Sequence, residues 1–347
     1  MRALGKRIAV LVVVLVMAGC TGGELQTDPR VEADGPSLTL AFGGDVNFEG
    51  RTQELLDKDP ETAFGPAANK LAAADLAIVN LETPITTRGT PQPKRYLFRT
   101  DPRAVTALTS AGVDVVSLAN NHTLDYGQIG LADTLAAARA GKLPTVGAGR
   151  NAAEAFAPWR TTVRGIRVAV FAFSQVSDLA TEWTATPHRP GLAVAVERRQ
   201  ALDAVRAARA TSDVIVVVPH WGSEHDRCPT ADQKSFAADL SAAGADVVVG
   251  AHAHVLQGQG YLGPTFVAYG MGNLLWGSGL PAPEDWRGGV LKLTLRGRTV
   301  VERDFTPTTL SPETRQPLEF TAVEADKERA RVNGLRDCAS LARSPAS

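Results

Sequence analysis

The side chains best suited to bind metal in this sequence stand at or just past the ends of apolar runs rich in β-branched residues. The run Leu38–Gly44 ends in Asp45, and Leu76–Leu81 ends in Glu82, with Asn80 two residues earlier. Val113–Ala119 leads into Asn120, Asn121 and His122, with Asp125 close behind. Val214–Pro219 ends in His220, followed by Trp221 and Glu224; Val247–Ala251 ends in His252, with His254 two residues on. Taken singly, an Asp after a strand is more often a turn or cap residue, and a lone His more often a hydrogen-bonded structural one. Their shared placement is the stronger signal, because open α/β sheets bind ligands beyond the carboxyl ends of their strands.

Carboxylate, amide oxygen and imidazole, without thiolate, form a ligand set suited to Mn, Fe or Zn rather than to a structural Cys-bound Zn. Two such ions a few ångströms apart would activate water as a nucleophile near neutral pH. A His-x-His pair in a tight turn reaches two neighbouring ions, and Asp45 or Glu82 would serve as the bridging carboxylate. One or two divalent ions are therefore expected.

These residues need a scaffold of buried strands. Expected strands are Leu38–Gly43, Leu76–Leu81, Val113–Leu118, Val168–Phe173, Val214–Pro219, Val247–Gly250, Thr265–Tyr269 and Val290–Leu295, with few alternating polar residues, as when helices cover a sheet. Expected helices are Phe64–Ala73, Pro102–Ala111, Ile129–Ala140, Arg198–Ala210 and Ala231–Ala243. Asp101 before Pro102, and Thr230 with Gln233, read as N-terminal caps; Gly112 and Gly244 fall where a left-handed C-terminal residue is wanted. Alternation of strand and helix argues α/β with a substantially parallel component. Gln175–Arg189 reads as a loop. The stretch 306–347 is expected to be a tail with one helix, roughly Thr321–Ala342, packed on a main domain of residues 37–305.

Lys and Arg number 36 against 37 Asp and Glu, for a formal net charge of −1 over 347 residues. No basic field exists to attract nucleic acid. At the N-terminus, Arg2, Lys6 and Arg7 precede the unbroken apolar run Ile8–Ala18, shorter than the about 20 residues that span a bilayer. This reads as a secretory signal. Small residues before Cys20 resemble a bacterial lipobox, with residues 1–20 as the signal, Cys20 as the lipidated position and 21–36 as a flexible tether; an ordinary cleaved signal is the alternative. The protein is then expected at the outer face of the cytoplasmic membrane. In that oxidising compartment the two other cysteines, Cys228 and Cys338, are most simply paired in a disulfide, two free thiols being the alternative.

The motifs Gly-Gly-Asp45, Asn80-Leu-Glu82, Phe98-Arg99, Asn-Asn-His122 with Asp125, His220-Trp-Gly-Ser-Glu224, His252-Ala-His254 and Gly-Asn273, in this order over roughly Leu38 to Trp276, resemble the bacterial CapA/PgsA capsule-synthesis family, linked to poly-γ-glutamate and similar in fold to calcineurin-like metallophosphoesterases. The resemblance implies a four-layer α/β/β/α sandwich, which we expect in place of a single doubly wound sheet. It implies Asp45 and His254 on a first metal, and Glu82 as the bridging ligand. It implies Asn121, His220 and His252 on a second metal. His122 would be the general acid, oriented by Asp125. Arg99, Glu224 and Asn273 would bind substrate, with Arg99 gripping an anionic group. The phosphoesterases carry Asp-x-His in the first motif, whereas this chain has Asp45-Val46-Asn47, so the first metal loses one imidazole and keeps that of His254.

Two readings follow. One is a metal-dependent hydrolase or transferase acting on an anionic cell-surface polymer or its precursor. The other is a non-catalytic metal- or polymer-binding module that assists capsule-synthase partners in assembly or export. A solute-binding lipoprotein is weaker, because the site is built from metal-type residues rather than aromatic walls.

Overall fold

The computed structural model describes residues 35–176, 179–277 and 279–346. The expected signal, Cys20 and nearly all of the expected tether lie outside the described residues. Among the described residues no helix is long and apolar enough to cross a membrane.

Alternating side chains on each central strand point into two different cores, which explains the nearly unbroken apolar runs. Leu40, Phe42, Leu76 and Ile78 pack with Val168, Val170, Val214, Val216 and Val247 in a core between two sheets. The intervening residues face outward onto helices. Ala77 and Val79 meet Leu56, Leu71, Val105, Leu108 and Leu131 on one side. Phe171, Ile215, Val217 and Val248 meet Val205, Phe236 and Leu240 on the other. The layers are therefore helix, sheet, sheet, helix, the four-layer sandwich expected. Each fully buried Val, Leu or Phe in these cores contributes roughly 1.5–3 kcal/mol.

The larger sheet runs in spatial order Pro317–Glu319, Thr299–Leu310, Arg287–Arg296, Ser37–Val46, Leu76–Leu81, Val115–Ser117 and Thr145–Val146, and Asn273–Leu275 also pairs with Ser37–Val46. The second sheet runs Gln259–Leu262, Thr265–Ala268, Val247–Val249, Val214–His220, Ile166–Ser174 and Trp159–Val163. Its four inner strands are parallel and its edge strands antiparallel.

The local signals act as their chemistry dictates. Asp101 Oδ1 accepts from the Arg103 amide at 2.9 Å at the start of helix Arg103–Ser110. Thr230 and Gln233 cap each other at the start of helix Ala231–Ala243. Gly244 ends that helix at φ 106°.

Two regions depart from expectation. The strand Thr299–Leu310 runs through residue 305, where the tail was expected to begin, and pairs along its length with Arg287–Arg296. Only some of its residues are buried, and it contains Pro307, so its pattern is weak in sequence. The C-terminal helix is Ala322–Gly334, capped by Thr321 and Glu324, and stops short of residue 342. Gln175–Arg189 carries the short helix Ala180–Trp183, whose Trp183 is buried.

Candidate metal centre

Three neighbouring strands set the floor of the site. Asp45 lies in register with Asn80 on one side and with Asn273 on the other. That close approach needs glycine: a Cβ on Gly44 would lie 1.9 Å from the Gly272 carbonyl oxygen, and Gly272 itself has φ 65°. Asn120–His122 follow the strand Val115–Ser117 on the same sheet. The second sheet supplies His220 at the end of Val214–His220, bridged through its backbone to Ala251. After Ala251 the chain turns with His252 at φ 93° and His254 at φ 57°. Left-handed backbone at a non-glycine residue costs of order 1 kcal/mol or more, and here it brings both imidazoles back toward Asp45 and Glu82.

The ligand-type side chains fall into overlapping groups. Asp45, Glu82 and His254 form one, and Glu82, His220 and His252 another, with candidate ligand atoms within 4.8 Å of one another in each. Glu82 belongs to both, the position of a bridging carboxylate. Asn121 Oδ1 lies 2.8 Å from His220 Nε2, so the amide oxygen faces the second group. Asn80 Nδ2 donates to Asp45 Oδ1 at 2.8 Å and to Glu82 Oε2 at 3.1 Å, fixing both carboxylates. Asn120 Nδ2 in turn donates to Asn80 Oδ1 at 3.0 Å.

The electrostatics ask for a cation. Burial, and then Asp45, push the Glu82 carboxyl well above its usual range. Burial, and then His252, push His220 well below its usual value. Burial and His254 take His252 down to about 3. Burial alone would lower His254, but the Glu82 and Asp45 carboxylates prevail and hold it at about 10. Glu82 Oε1 and His252 Nδ1 are buried without a hydrogen-bond partner. An unsatisfied buried polar atom costs about 1–3 kcal/mol, and a divalent ion would satisfy both. Neutral imidazoles and carboxylates are the donor set that Mn, Fe or Zn takes, so the residues present fit divalent metal.

His122 stands beside these groups. Its ring stacks on Phe98, with centroids 4.0 Å apart, and its Nδ1 is 2.6 Å from Asp125 Oδ2. A carboxylate only accepts, so Nδ1 carries the proton. Asp125 is fully buried and also accepts from Lys94 Nζ at 2.8 Å and the Phe98 amide at 2.7 Å. Burial lowers His122, against the pull of Asp125. His122 lines a cavity of about 530 Å³ with Tyr96, Phe98, His254 and Trp276. An adjoining cavity of about 330 Å³ shares Tyr96, His122 and Glu224 with it and adds Lys94, Arg95 and Asn121. The site thus opens into one cleft with an aromatic side and a basic side.

Two residues expected to bind substrate lie away from the lining of the cleft. Arg99 does not face the cleft: Phe98 turns inward to His122, and its exposed neighbour Arg99 lies over the Tyr126 ring, 4.7 Å from the centroid. Lys94 and Arg95 line the basic side of the cleft, with Lys94 ion-paired to Asp125. Asn273 has no group left for substrate. It is fully buried, its Oδ1 lies 3.0 Å from His254 Nδ1, and its Nδ2 donates to the His254 and Asp285 carbonyls. It positions His254. Glu224 is exposed at the cleft mouth. Cys228 and Cys338 are joined by a disulfide, with Cα atoms 5.7 Å apart.

Pattern reading notes Asn80 and Asn120 without giving them a role, and passes over Lys94 altogether. Asn80 is legible in principle, since residues two apart on a strand share a face and Asn80 precedes Glu82 by two. Lys94 lies in a stretch without periodicity, and nothing in the sequence places it beside Asp125. His225, with no partner in any motif, pairs with buried Asp285 at 2.8 Å.

Comparison with known proteins adds the following. The family described as bacterial capsule synthesis protein PGA_cap matches residues 39–278. The "PGA biosynthesis protein CapA" of Bacillus subtilis is 29% identical over 280 residues, covering 79% of this chain and 73% of the relative. The "Capsule biosynthesis protein CapA" of Bacillus anthracis is 26% identical over 319 residues, covering 90% and 77%. Among solved structures, a phosphatase from Mycoplasma pneumoniae overlays with a TM-score of 0.47 at 12% identity, covering 79% of this chain and 94% of that one.

Proposed function

Because this chain belongs to the bacterial capsule synthesis protein PGA_cap family, we propose that it acts in the synthesis of a poly-γ-glutamate or similar anionic capsule polymer, through a metal-dependent hydrolase-like site. The names of the Bacillus relatives support the capsule role. The observation that carries the site is the pair of buried, unpartnered atoms, Glu82 Oε1 and His252 Nδ1, among converging carboxylates and imidazoles.

In this reading Asp45, Glu82 and His254 hold one divalent ion, and Glu82, Asn121, His220 and His252 a second. Bound ions supply Lewis acidity and lower the pKa of water. Asn80 and Asn273 hold the ligands in place. Lys94 and Arg95 draw an anionic substrate into the cleft, and the aromatic side receives its apolar parts. His122 delivers a proton from Nε2 to the leaving group, while Asp125 stabilises the imidazolium through Nδ1. The N-terminal signal and Cys20 anchor the domain by lipid outside the cytoplasmic membrane, where it meets the polymer and capsule-synthase partners.

A binding module that assists assembly or export is favoured by one observation. Asn47 supplies no imidazole to the first ion, and its Oδ1 accepts from the Glu49 amide at 2.6 Å. Membrane fractions separate the two readings. The hydrolase reading expects metal-dependent cleavage of phosphodiesters or γ-glutamyl polymer. His122→Ala then loses turnover by about 10²–10⁴-fold while keeping its metal, and Cys20→Ser moves the activity to the medium. Wild-type fractions with full metal and no cleavage would establish the binding module.

A further inference from the structure

We propose that Glu224 is a third carboxylate ligand of the centre, reaching from the solvent side the metal positions that His252 and His254 serve. The inference rests on the metal reading above and adds a position to it. A carboxylate oxygen of Glu224 and ring nitrogens of His252 and His254 lie within 4.8 Å of one another. His252, whose buried Nδ1 has no hydrogen-bond partner, belongs to this group as well as to the inner one.

The loop that carries Glu224 is exposed, yet tied down residue by residue. The His225 amide donates to the Ala253 carbonyl between the two site histidines at 2.8 Å. The His225 ring meets Asp285 at 2.8 Å, and the Asp226 carbonyl accepts from Gln257 Nε2 at 2.6 Å. Arg227 pairs with Glu284 at 3.2 Å, and Cys228 is bonded to Cys338. His225 also sits at φ 66°, a conformation held only where the surroundings impose it. An exposed loop is normally left mobile; this one fixes an acidic side chain against a cluster that already holds Asp45 and Glu82. Glu224 also makes the ligand set richer in oxygen, which favours Mn²⁺ or Fe²⁺ over softer ions. The disulfide then has a consequence at the site, because it fixes the loop four residues beyond the ligand.

The test is Mn²⁺ titration of the full chain, with Co²⁺ visible absorption as a readout of coordination. Glu224→Gln is expected to weaken at least one Mn²⁺-binding event tenfold or more and to alter the Co²⁺ spectrum, with the thermal midpoint of the metal-free protein unchanged. The Cys228→Ser, Cys338→Ser double variant is expected to weaken the same event. Glu82→Gln is the reference. If it loses Mn²⁺ while Glu224→Gln binds as wild type with an unaltered spectrum, the role of Glu224 is overturned and the inner centre stands. If neither substitution changes binding, the metal reading itself fails.

Discussion

At the scale of single residues, the chemistry turns on how protons are distributed when carboxylates and imidazoles are crowded out of water. His252 is depressed to about 3 and His220 is also lowered, so both are neutral and ready to ligate at pH 7. His254 is held at about 10 by Glu82 and Asp45, and Glu82 is itself raised. Ligation requires those protons to leave. Metal binding near neutral pH should therefore release protons, and affinity should rise with pH toward about 10, by up to about tenfold per pH unit for each proton displaced. Titrations in buffers of different ionisation enthalpy measure that release directly; a binding constant flat between about pH 6 and 8 would contradict it. The ligand residues were legible only together, because Asp, Glu and His recur at the ends of several apolar runs where any one of them alone would read as a cap or a structural residue. The residues that orient them were not. Asn120 and Lys94 act through contacts between segments, which no local signal reports, and Asn80 adds such a contact with Asp45 to its local one with Glu82. For Arg99, motif membership says nothing about which way the side chain turns, and it lies over the Tyr126 ring.

At the scale of elements, the site depends on strands packed closely enough to bring their ends together. Gly44 against Gly272 is the tightest such approach. Gly44→Ala should force the Asp45 strand end away from Asn273–Leu275, costing about 1–3 kcal/mol and weakening metal binding with it. Gly334→Ala, where an added Cβ meets nothing within 4 Å, should leave both unchanged; thermal unfolding paired with metal titration makes the comparison. The buried parallel strands were legible because both faces are apolar, so Leu76–Leu81 and Val214–His220 read as unbroken runs. Helix Ala231–Ala243 was legible from its capping pair and terminal glycine. Strand Thr299–Leu310 was not, since its burial is uneven and its pairing comes from the neighbouring Arg287–Arg296.

At the scale of the whole molecule, the sandwich brings together segments that are remote in sequence. One sheet contributes Asp45, Glu82 and Asn121, and the other contributes His220 and the His252–His254 turn, with the convergence point at the shared carboxyl edge. The disulfide spans 110 residues to tie the C-terminal segment to the loop beside the site, so the end of the chain is part of the same assembly. Which sheet carries which ligand followed from topology alone and could not be counted from spacing. The family pattern supplied the layers, and the two-sided burial of each strand supplies their physical cause. The account stands on Glu82, the carboxylate common to both inner ligand groups. The most direct measurement is the divalent metal bound per chain by wild-type protein and by Glu82→Gln after identical loading and dialysis. We predict that the wild type retains metal and that Glu82→Gln loses it from both positions while remaining folded; a Glu82→Gln protein that binds as much metal as the wild type, with the same affinity, would contradict the account.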